Sequence, residues 1–359
     1  MRKQIWGNLL LVFFSIVITL AVSEYGFRLL LFSESPILAR FRQPYHFAST
    51  YEDSFWKLYH LWGGEYKPPA TPHPLLGWAG SFSRETYLHN ETGGVGQRQP
   101  VLLYGDSFAQ CASAASQECF HQILNGDTTF SKEYYLLNYG VGGYGIDQIW
   151  LLLRESVHLY GNPVVVVGIF TDDLDRSLMS FRIGQKPYFD IGENRLRLQG
   201  VPINSDVGQY LHEHPIDIIS YLYRLWLHSN SAPRRLVEYL DHVQKEKTEA
   251  LGELITKEMV RHLKGKEVPF LFVIFSSQDE MEREQDSWRE YFLRKILEEQ
   301  RVPYISSKVL VRKEAILKGR QVEEYFIQKD KHPTAEQNRM VSMAIYQAIR
   351  KGDFCCPKH

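Results

Sequence analysis

The chain has 359 residues, with 41 Lys and Arg against 42 Asp and Glu, so its formal net charge is −1. This balance argues against a dedicated nucleic-acid binder, which usually carries a basic excess. A mean hydropathy of −0.29 excludes a polytopic membrane protein, and 44% hydrophobic residues exclude wholesale disorder. Four cysteines are too few for a disulfide scaffold.

The first segment has the length and composition of a membrane helix. Residues 5–23 contain no charged side chain, and at about 1.5 Å per residue they nearly span a hydrocarbon core of ~30 Å. Arg2 and Lys3 precede them, which favours a cytoplasmic N-terminus with the rest of the chain outside. Residues 21–23 also fit a signal-peptidase site, so a cleaved signal peptide is the alternative. We expect a retained anchor over residues 1–32, because the apolar pattern continues to Phe32.

The remainder divides into a connector, a main domain and a tail. Residues 33–97 are rich in proline and aromatic residues and predict a connector that packs on the main domain. Residues 98–350 form the main domain, with an insertion at about 177–232, and 351–359 form the tail. Within the main domain, short apolar runs alternate with helical stretches. The apolar runs lie at 101–104, 135–137, 164–170, 270–275 and 302–305. The helical stretches lie at 146–159, 233–264, 282–300 and 334–350. This alternation predicts an α/β fold with a parallel sheet covered by helices on both faces.

Gly105-Asp106-Ser107 follows the first apolar run of the main domain. In doubly wound sheets ligands bind at the carboxyl ends of the strands, so Ser107 is expected at the mouth of a site. A helix N-terminus there would favour an oxyanion. The alternative is that Ser107 is simply a helix N-cap.

A glycine-rich segment, Asn138-Tyr139-Gly140-Val141-Gly142-Gly143-Tyr144-Gly145, follows the next run. Its glycines let the backbone approach a ligand and direct N–H groups at it. A plain turn is the alternative. A phosphate loop is disfavoured because the Lys-Ser/Thr pair of that motif is missing.

Thr171-Asp172-Asp173-Leu174-Asp175 follows the third run. Three carboxylates could bind a divalent cation, but Asp after a strand is common turn chemistry. We therefore expect no metal.

Asp330-Lys331-His332-Pro333 precedes the final helix. An Asp two residues before a His can orient the imidazole, although such pairs also occur as surface residues. Taken together, the four motifs supply a hydroxyl, a base, a carboxylate and N–H donors, which are the requirements of nucleophilic acyl transfer.

These four motifs, over about residues 98–350, resemble the conserved blocks of the SGNH/GDSL hydrolases. The N-terminal helix and residues 143–148 are similar to bacterial membrane-anchored members of that family. The resemblance implies a flavodoxin-like three-layer α/β/α sandwich. It also implies esterase, lipase or acetyltransferase chemistry that needs neither metal nor cofactor.

The resemblance also implies roles for individual residues. Ser107 matches the nucleophile and the first oxyanion donor, Gly143 the second donor, and Asp330 and His332 the rest of the triad. Asp172 occupies the place of an Asn that normally donates to the oxyanion, and an ionised carboxylate can only accept hydrogen bonds. Three explanations would keep the enzyme active: Asp172 is protonated, Thr171 donates instead, or the alignment is shifted by one residue.

The expected function is a membrane-anchored serine esterase or O-acyltransferase that acts on acylated carbohydrate of the cell envelope. It would lie in the bacterial inner membrane as a single-pass protein, with its catalytic domain outside the cytoplasm and no nucleic-acid partner. The alternatives are a weakly active or inactive glycan-binding or assembly protein and a tethered lipase. Outside the cytoplasm Cys111 and Cys119 could form a disulfide, or they could be two buried thiols.

Overall fold

The computed structural model describes residues 2–33, 36–63, 71–113, 118–193 and 195–355. These residues form two compact units. The N-terminal unit comprises Met1–Pro68, Phe181–Ile183 and Asp206–Gln244. The sheet unit comprises Pro69–Ser180, Gly184–Ser205 and Lys245–His359.

The strands and helices alternate along most of the chain. The strands are β1 (Pro72–His73), β2 (Gly77–Trp78), β3 (Gln99–Gly105), β4 (Tyr134–Gly140), β5 (Val164–Phe170), β6 (Tyr188–Gly192), β7 (Arg195–Gln199), β8 (Phe270–Phe275) and β9 (Tyr304–Ser306). The α-helices are α1 (Arg2–Phe32), α2 (Asp53–Leu61), α3 (Ser107–Gln110), α4 (Phe120–Gly126), α5 (Phe130–Glu133), α6 (Ile146–Ser156), α7 (Asp173–Arg176), α8 (Val207–Glu213), α9 (Tyr221–Leu227), α10 (Arg234–Gly265), α11 (Gln278–Glu282), α12 (Trp288–Glu299), α13 (Ser307–Lys318) and α14 (Ala335–Lys351).

The sheet unit is built on a five-stranded sheet in the order β4-β3-β5-β8-β9. All neighbouring pairs in it are parallel. Every residue of β5 and of β8 is buried, as expected for strands covered on both faces. When these five strands are numbered in chain order starting from β3, their order across the sheet is that of the flavodoxin-like doubly wound fold. In that fold the ligand crevice lies where the strand order reverses. That crevice lies at the carboxyl ends of β3 and β5.

Helices cover both faces of this sheet, so the predicted α/β/α architecture is confirmed. On one face, alternate residues of β3, β5 and β8 belong to a buried cluster with residues of α4, α13 and α14, including Val101, Val166, Phe120 and Val311. On the other face, the hydroxyl of Tyr104 lies 2.8 Å from that of Ser156 in α6.

Several predicted boundaries differ from the structure. The helix predicted at 282–300 begins later, as α12 at Trp288, because Ser287 caps that start by accepting the backbone N–H of Glu290. The last predicted strand begins at Tyr304 rather than at residue 302. The expected insertion contains the antiparallel hairpin β6–β7 together with α8 and α9. The expected connector is divided, since its described residues up to 63 belong to the N-terminal unit and those from 71 onward belong to the sheet unit.

The N-terminal unit contains the apolar helix α1. Residues Gln4–Phe32 have a mean hydropathy of 2.4 in their most apolar window, none of which is buried. By length and composition this helix could span a membrane or act as a signal sequence. Near its end, Leu31 is fully buried in a cluster with Phe47, Leu58 and Tyr221.

Candidate active site

Ser107 stands at the turn from β3 into α3. The carboxylate of Asp106 accepts the backbone N–H of Phe108 at 2.8 Å and so caps α3. The N-cap is therefore Asp106, and the alternative that Ser107 merely caps the helix is wrong. The Ser107 hydroxyl makes two contacts: Nε2 of His332 lies 3.0 Å from Oγ, and a carboxylate oxygen of Asp106 accepts a longer hydrogen bond from it at 3.3 Å.

Two glycines let α3 lie close against the sheet. A Cβ at Gly105 would lie 2.5 Å from Cβ of Ala109 in α3. A Cβ at Gly140 would lie 2.4 Å from the backbone nitrogen of Gln110. Any side chain at either position would push α3, and with it Ser107, away from the strand ends.

Asp330 and His332 stand together in the loop before α14. Oδ1 of Asp330 lies 3.3 Å from Nδ1 of His332, and it also accepts the backbone N–H of His332 at 3.1 Å. The Nδ1 contact is not aligned as a hydrogen bond, and Nδ1 makes none among the described residues. Between them, Lys331 has a φ of +60°, a left-handed conformation that non-glycine residues adopt at a cost and that is often found at functional sites.

The carboxylate of Asp330 is held ionised. Its partial burial raises its pKa, but the hydroxyl of Ser113 and the backbone N–H of His332 donate to it, and the net effect is a lowered pKa. An ionised Asp330 can stabilise the imidazolium that forms when His332 accepts a proton.

The glycine-rich segment after β4 is fixed beside Ser107. The side-chain carbonyl of Gln110 accepts the N–H of Gly142 at 2.8 Å, and the indole N–H of Trp78 donates to the carbonyl of Gly142 at 3.0 Å. Gly143 has a φ of +84°, which favours glycine at that position. The roles of Trp78 and Gln110 were missed by the sequence analysis, because neither belongs to a motif.

Asp172 follows β5 and is half-buried. Burial raises the pKa of its carboxyl group, and the positive charges of Arg176 and Arg289 only partly offset this. Oδ1 of Asp172 lies 4.0 Å from Nε of Arg289. The raised pKa favours the protonated form, which can donate a hydrogen bond. The neighbouring Thr171 directs its hydroxyl elsewhere and donates to Glu280 at 2.6 Å.

A buried charge network underlies the site and was not expected from the sequence. Nη1 of Arg176 lies 2.8 Å from a carboxylate oxygen of Asp106 and 2.5 Å from one of Asp173. It also donates to the carbonyl of Tyr144 at 3.1 Å. Burial opposes the charge of Arg176, but the two carboxylates outweigh it and raise its pKa. Arg176 thus joins the segments that follow β3, β4 and β5.

The three carboxylates after β5 have arginine partners. Asp173 pairs with Arg176, and Asp175 forms a close ion pair with Arg289. Among the described residues, no group of three His, Cys, Asp or Glu side chains is arranged to hold a metal ion.

Cys111 and Cys119 are thiols in the structure, and the disulfide considered for them is not formed. Cys111 is the left-handed C-cap of α3 with a φ of 61°, and its Sγ lies 3.8 Å from the carbonyl oxygen of Ala109. Sγ of Cys119 lies 3.9 Å from the carbonyl oxygen of Cys111. Each sulfur is thus directed at a carbonyl, and burial raises the pKa of Cys111.

No family model and no curated protein matches the chain. Among solved structures, a two-domain esterase active on acetylated mannans is similar at 12% identity and a TM-score of 0.40, over 73% of this chain and 51% of that one. The match thus spans about half the length of that esterase. An acetyl xylan esterase is similar at 14% identity and a TM-score of 0.39, over 70% and 99% of the two chains.

A third similar structure is a member of the lipolytic G-D-S-L family from Veillonella parvula. It has 10% identity and a TM-score of 0.35, over 70% of this chain and 97% of that one. Similarities this distant decide nothing about activity, which has to be argued from the site itself.

Proposed function

We propose that the chain is a serine ester hydrolase or O-acyltransferase of the SGNH type. The observation that carries this proposal is the 3.0 Å distance between Nε2 of His332 and Oγ of Ser107, at the sheet edge where doubly wound folds bind ligands. A hydroxyl within hydrogen-bond reach of an imidazole is the arrangement of an activated nucleophile.

In the proposed reaction His332 takes the proton of Ser107 while Oγ attacks the ester carbonyl carbon. Asp330 stabilises the imidazolium, and the backbone N–H groups of Ser107 and Gly143 donate to the oxyanion. In this proposal the third donor is Asp172 in its protonated form, which burial favours by raising its pKa. His332 then protonates the leaving alcohol. Water or a sugar hydroxyl, deprotonated by His332, attacks the acyl-enzyme and releases Ser107.

The proposed substrate is an acylated carbohydrate of the cell envelope. This assignment rests on the family resemblance. Two of the similar structures are esterases of acetylated carbohydrates, one active on acetylated mannans and the other an acetyl xylan esterase.

The proposed location is the bacterial inner membrane, with α1 retained as a single span and the sheet unit outside the cytoplasm. Retention of α1 is supported by the structure around residues 21–23, which fit a signal-peptidase site. The helix α1 continues through and beyond these residues without a break. Glu24 accepts the backbone N–H of Tyr221 at 2.8 Å, and Arg28 donates to the carbonyl of Ile218 at 2.6 Å.

The proposal is tested by measuring the turnover of an aryl acetate by the full-length protein in detergent. The measurement is made with and without an added oligosaccharide acceptor. Hydrolysis without acceptor supports an esterase, and acceleration with formation of acylated sugar supports a transferase. Labelling of Ser107 by a fluorophosphonate probe gives an independent readout of the nucleophile.

The second candidate is a catalytically weak or inactive glycan-binding or assembly protein. Asp172 favours it, since a carboxylate in place of an oxyanion donor would repel the developing charge if it were ionised. A protein that binds acylated oligosaccharide but neither reacts with the probe nor turns over an aryl acetate would have this second function.

A further inference from the structure

The helix α9 presents an exposed apolar face beside the proposed membrane anchor. Tyr223 and Trp226, which are 47% and 38% exposed, lie three positions apart on one face of α9. Ile219, directly before the N-cap Ser220, is 91% exposed. The rings of Tyr223 and Trp226 lie 5.7 Å apart. We call these three residues the α9 apolar face.

The opposite side of α9 packs within the N-terminal unit. Tyr221 is buried in the cluster that contains Leu31 of α1, and Leu225 packs against this cluster. Arg224 pairs with Glu52 at 2.8 Å. The helix is therefore held in a definite orientation, and its large exposed side chains belong to one face.

Hydrogen bonds fix α9 to α1 just beyond the apolar stretch. Glu24 accepts the hydroxyl of Ser220 and the backbone N–H of Tyr221, both at 2.8 Å. Arg28 donates to the carbonyls of Ile218 and Ile219, both at 2.6 Å, and its guanidinium lies 5.0 Å from the ring centroid of Tyr221.

These contacts set the depth of the α9 apolar face. The uncharged stretch of α1 ends at residue 23, and Arg28 lies about 7.5 Å further along the helix axis. If α1 spans a bilayer, Ile219 lies where the hydrocarbon gives way to the headgroups. Tyr and Trp concentrate at that depth, and amphipathic helices bury their apolar faces there by ~5–10 Å. Tyr25, 66% exposed on α1 itself, fits the same level.

We infer that the α9 apolar face is a second membrane contact, inserted in the interfacial layer of the bilayer beside α1. It would seat the N-terminal unit on the lipid surface. This inference rests on the anchor that forms part of the proposed function. We assign a lipid bilayer as the partner of this face because the start of α9 is hydrogen-bonded directly to α1, the helix that would leave the membrane at that level.

The test uses the full-length protein in vesicles of phosphatidylethanolamine and phosphatidylglycerol, with single cysteines that carry an environment-sensitive fluorophore. Ile219→Cys probes the α9 apolar face, and Leu11→Cys, in α1, probes the anchor. Ile316→Cys is the matched control, since Ile316 is a 79% exposed isoleucine of the sheet unit. The parent protein, labelled in parallel, gives the background from the four native cysteines.

We expect the label at position 219 to emit at shorter wavelength than the label at 316. Lipids with a nitroxide near the headgroup should quench it more strongly than lipids with a deep nitroxide. The label at position 11 should show the reverse depth preference, and the label at 316 should be quenched by neither.

Two results would overturn the inference about the α9 apolar face and leave the membrane anchor α1 standing. One is a label at 219 that behaves like the label at 316, while position 11 is quenched. The other is a label at 219 that is shielded from water but not quenched by lipid, which would indicate contact with protein. Absence of quenching at position 11 would overturn the anchor, and the inference with it.

Discussion

Nε2 of His332 lies 3.0 Å from Oγ of Ser107, although the two residues are 225 positions apart in the chain. Ser107 begins α3 directly after β3, and His332 lies in the loop before α14. The ring of Phe108 contacts that of His332, with centroids 5.4 Å apart, and stacks on Phe170 at 4.2 Å. The imidazole is thus positioned by aromatic packing as well as by Asp330.

The first prediction concerns this pair. Ser107→Ala should abolish ester hydrolysis and fluorophosphonate labelling, with almost no change in melting temperature, because the small side chain borders the crevice. His332→Ala should reduce ester hydrolysis to a similarly low residual rate, because members of a catalytic triad act as a unit and the effects of removing them do not add. Ser229→Ala, at an exposed serine of the N-terminal unit, is the control and should keep both signals. Hydrolysis by Ser107→Ala at the parent rate would refute the proposed mechanism.

The second prediction concerns Asp172. Asp172→Asn should retain or increase turnover at neutral pH, because the amide donates a hydrogen bond at any pH. Asp172→Ala should lose turnover by ~100–1,000-fold, the usual effect of removing one oxyanion donor. A loss of more than about tenfold in Asp172→Asn would show that the carboxyl group has another role.

The pH profile gives a second measurement of Asp172. Its pKa is raised in the folded protein, so the donor is present below that pKa and is lost as the pH rises through it. The parent enzyme should therefore show a falling limb that Asp172→Asn lacks. Because the folded state holds this proton more tightly than the unfolded state, stability also falls as the pH rises from the unfolded pKa to the folded one. Asp172→Asn should remove that loss in thermal unfolding measured across the same pH range.

The sequence predicts the sheet well where a run is uniformly apolar. The bounds of β5 and β8 match the predicted runs at both ends, because strands buried on both faces carry a continuous hydrophobic signal. Parallel strands also end at a common edge, which is why residues after different strands, such as Ser107 and Asp172, could be assigned to one site.

The supporting contacts could not be predicted in this way. Trp78 donates to Gly142 across 64 positions, and Arg176 pairs with Asp106 across 70. A single residue that satisfies a distant carbonyl or carboxylate leaves no periodic pattern. The attachment of α9 to Glu24 is of the same kind, with Ser220 lying 196 positions from its partner.

The third prediction concerns the close approach of α3 to β4. In Gly140→Ala the new Cβ would lie 2.4 Å from the nitrogen of Gln110, so α3 must shift. We expect a loss of ~1–3 kcal/mol in unfolding free energy. Turnover should fall by up to about 100-fold, because Ser107 moves relative to His332. Gly161→Ala is the control, since a Cβ there meets nothing within 4 Å. Unchanged activity in Gly140→Ala would contradict the packing argument.

The fourth prediction concerns the thiols of Cys111 and Cys119. Both are buried, and burial raises the pKa of Cys111, so little reactive thiolate forms at neutral pH. Mass spectrometry of the purified protein should show both cysteines alkylated after unfolding without reductant, and Cys111 unmodified when the reagent is applied to the folded protein. A peptide pair released only by reductant would instead reveal a bridge, and would fit an oxidising compartment.

The last prediction concerns Arg176. Asp106 and Asp173 have fully buried side chains, and both pair with the guanidinium of Arg176. In Arg176→Met the two carboxylates lose this partner, and breaking a buried ion pair from one side typically costs ~3–5 kcal/mol. Denaturant unfolding should show a loss of that order.

The same loss should depend on the positive charge at position 176. Arg176→Lys, which keeps the charge but not the planar guanidinium, should lie between the parent and Arg176→Met. Equal stability of the parent and Arg176→Met at neutral pH would show that the network does not hold the three strand ends together.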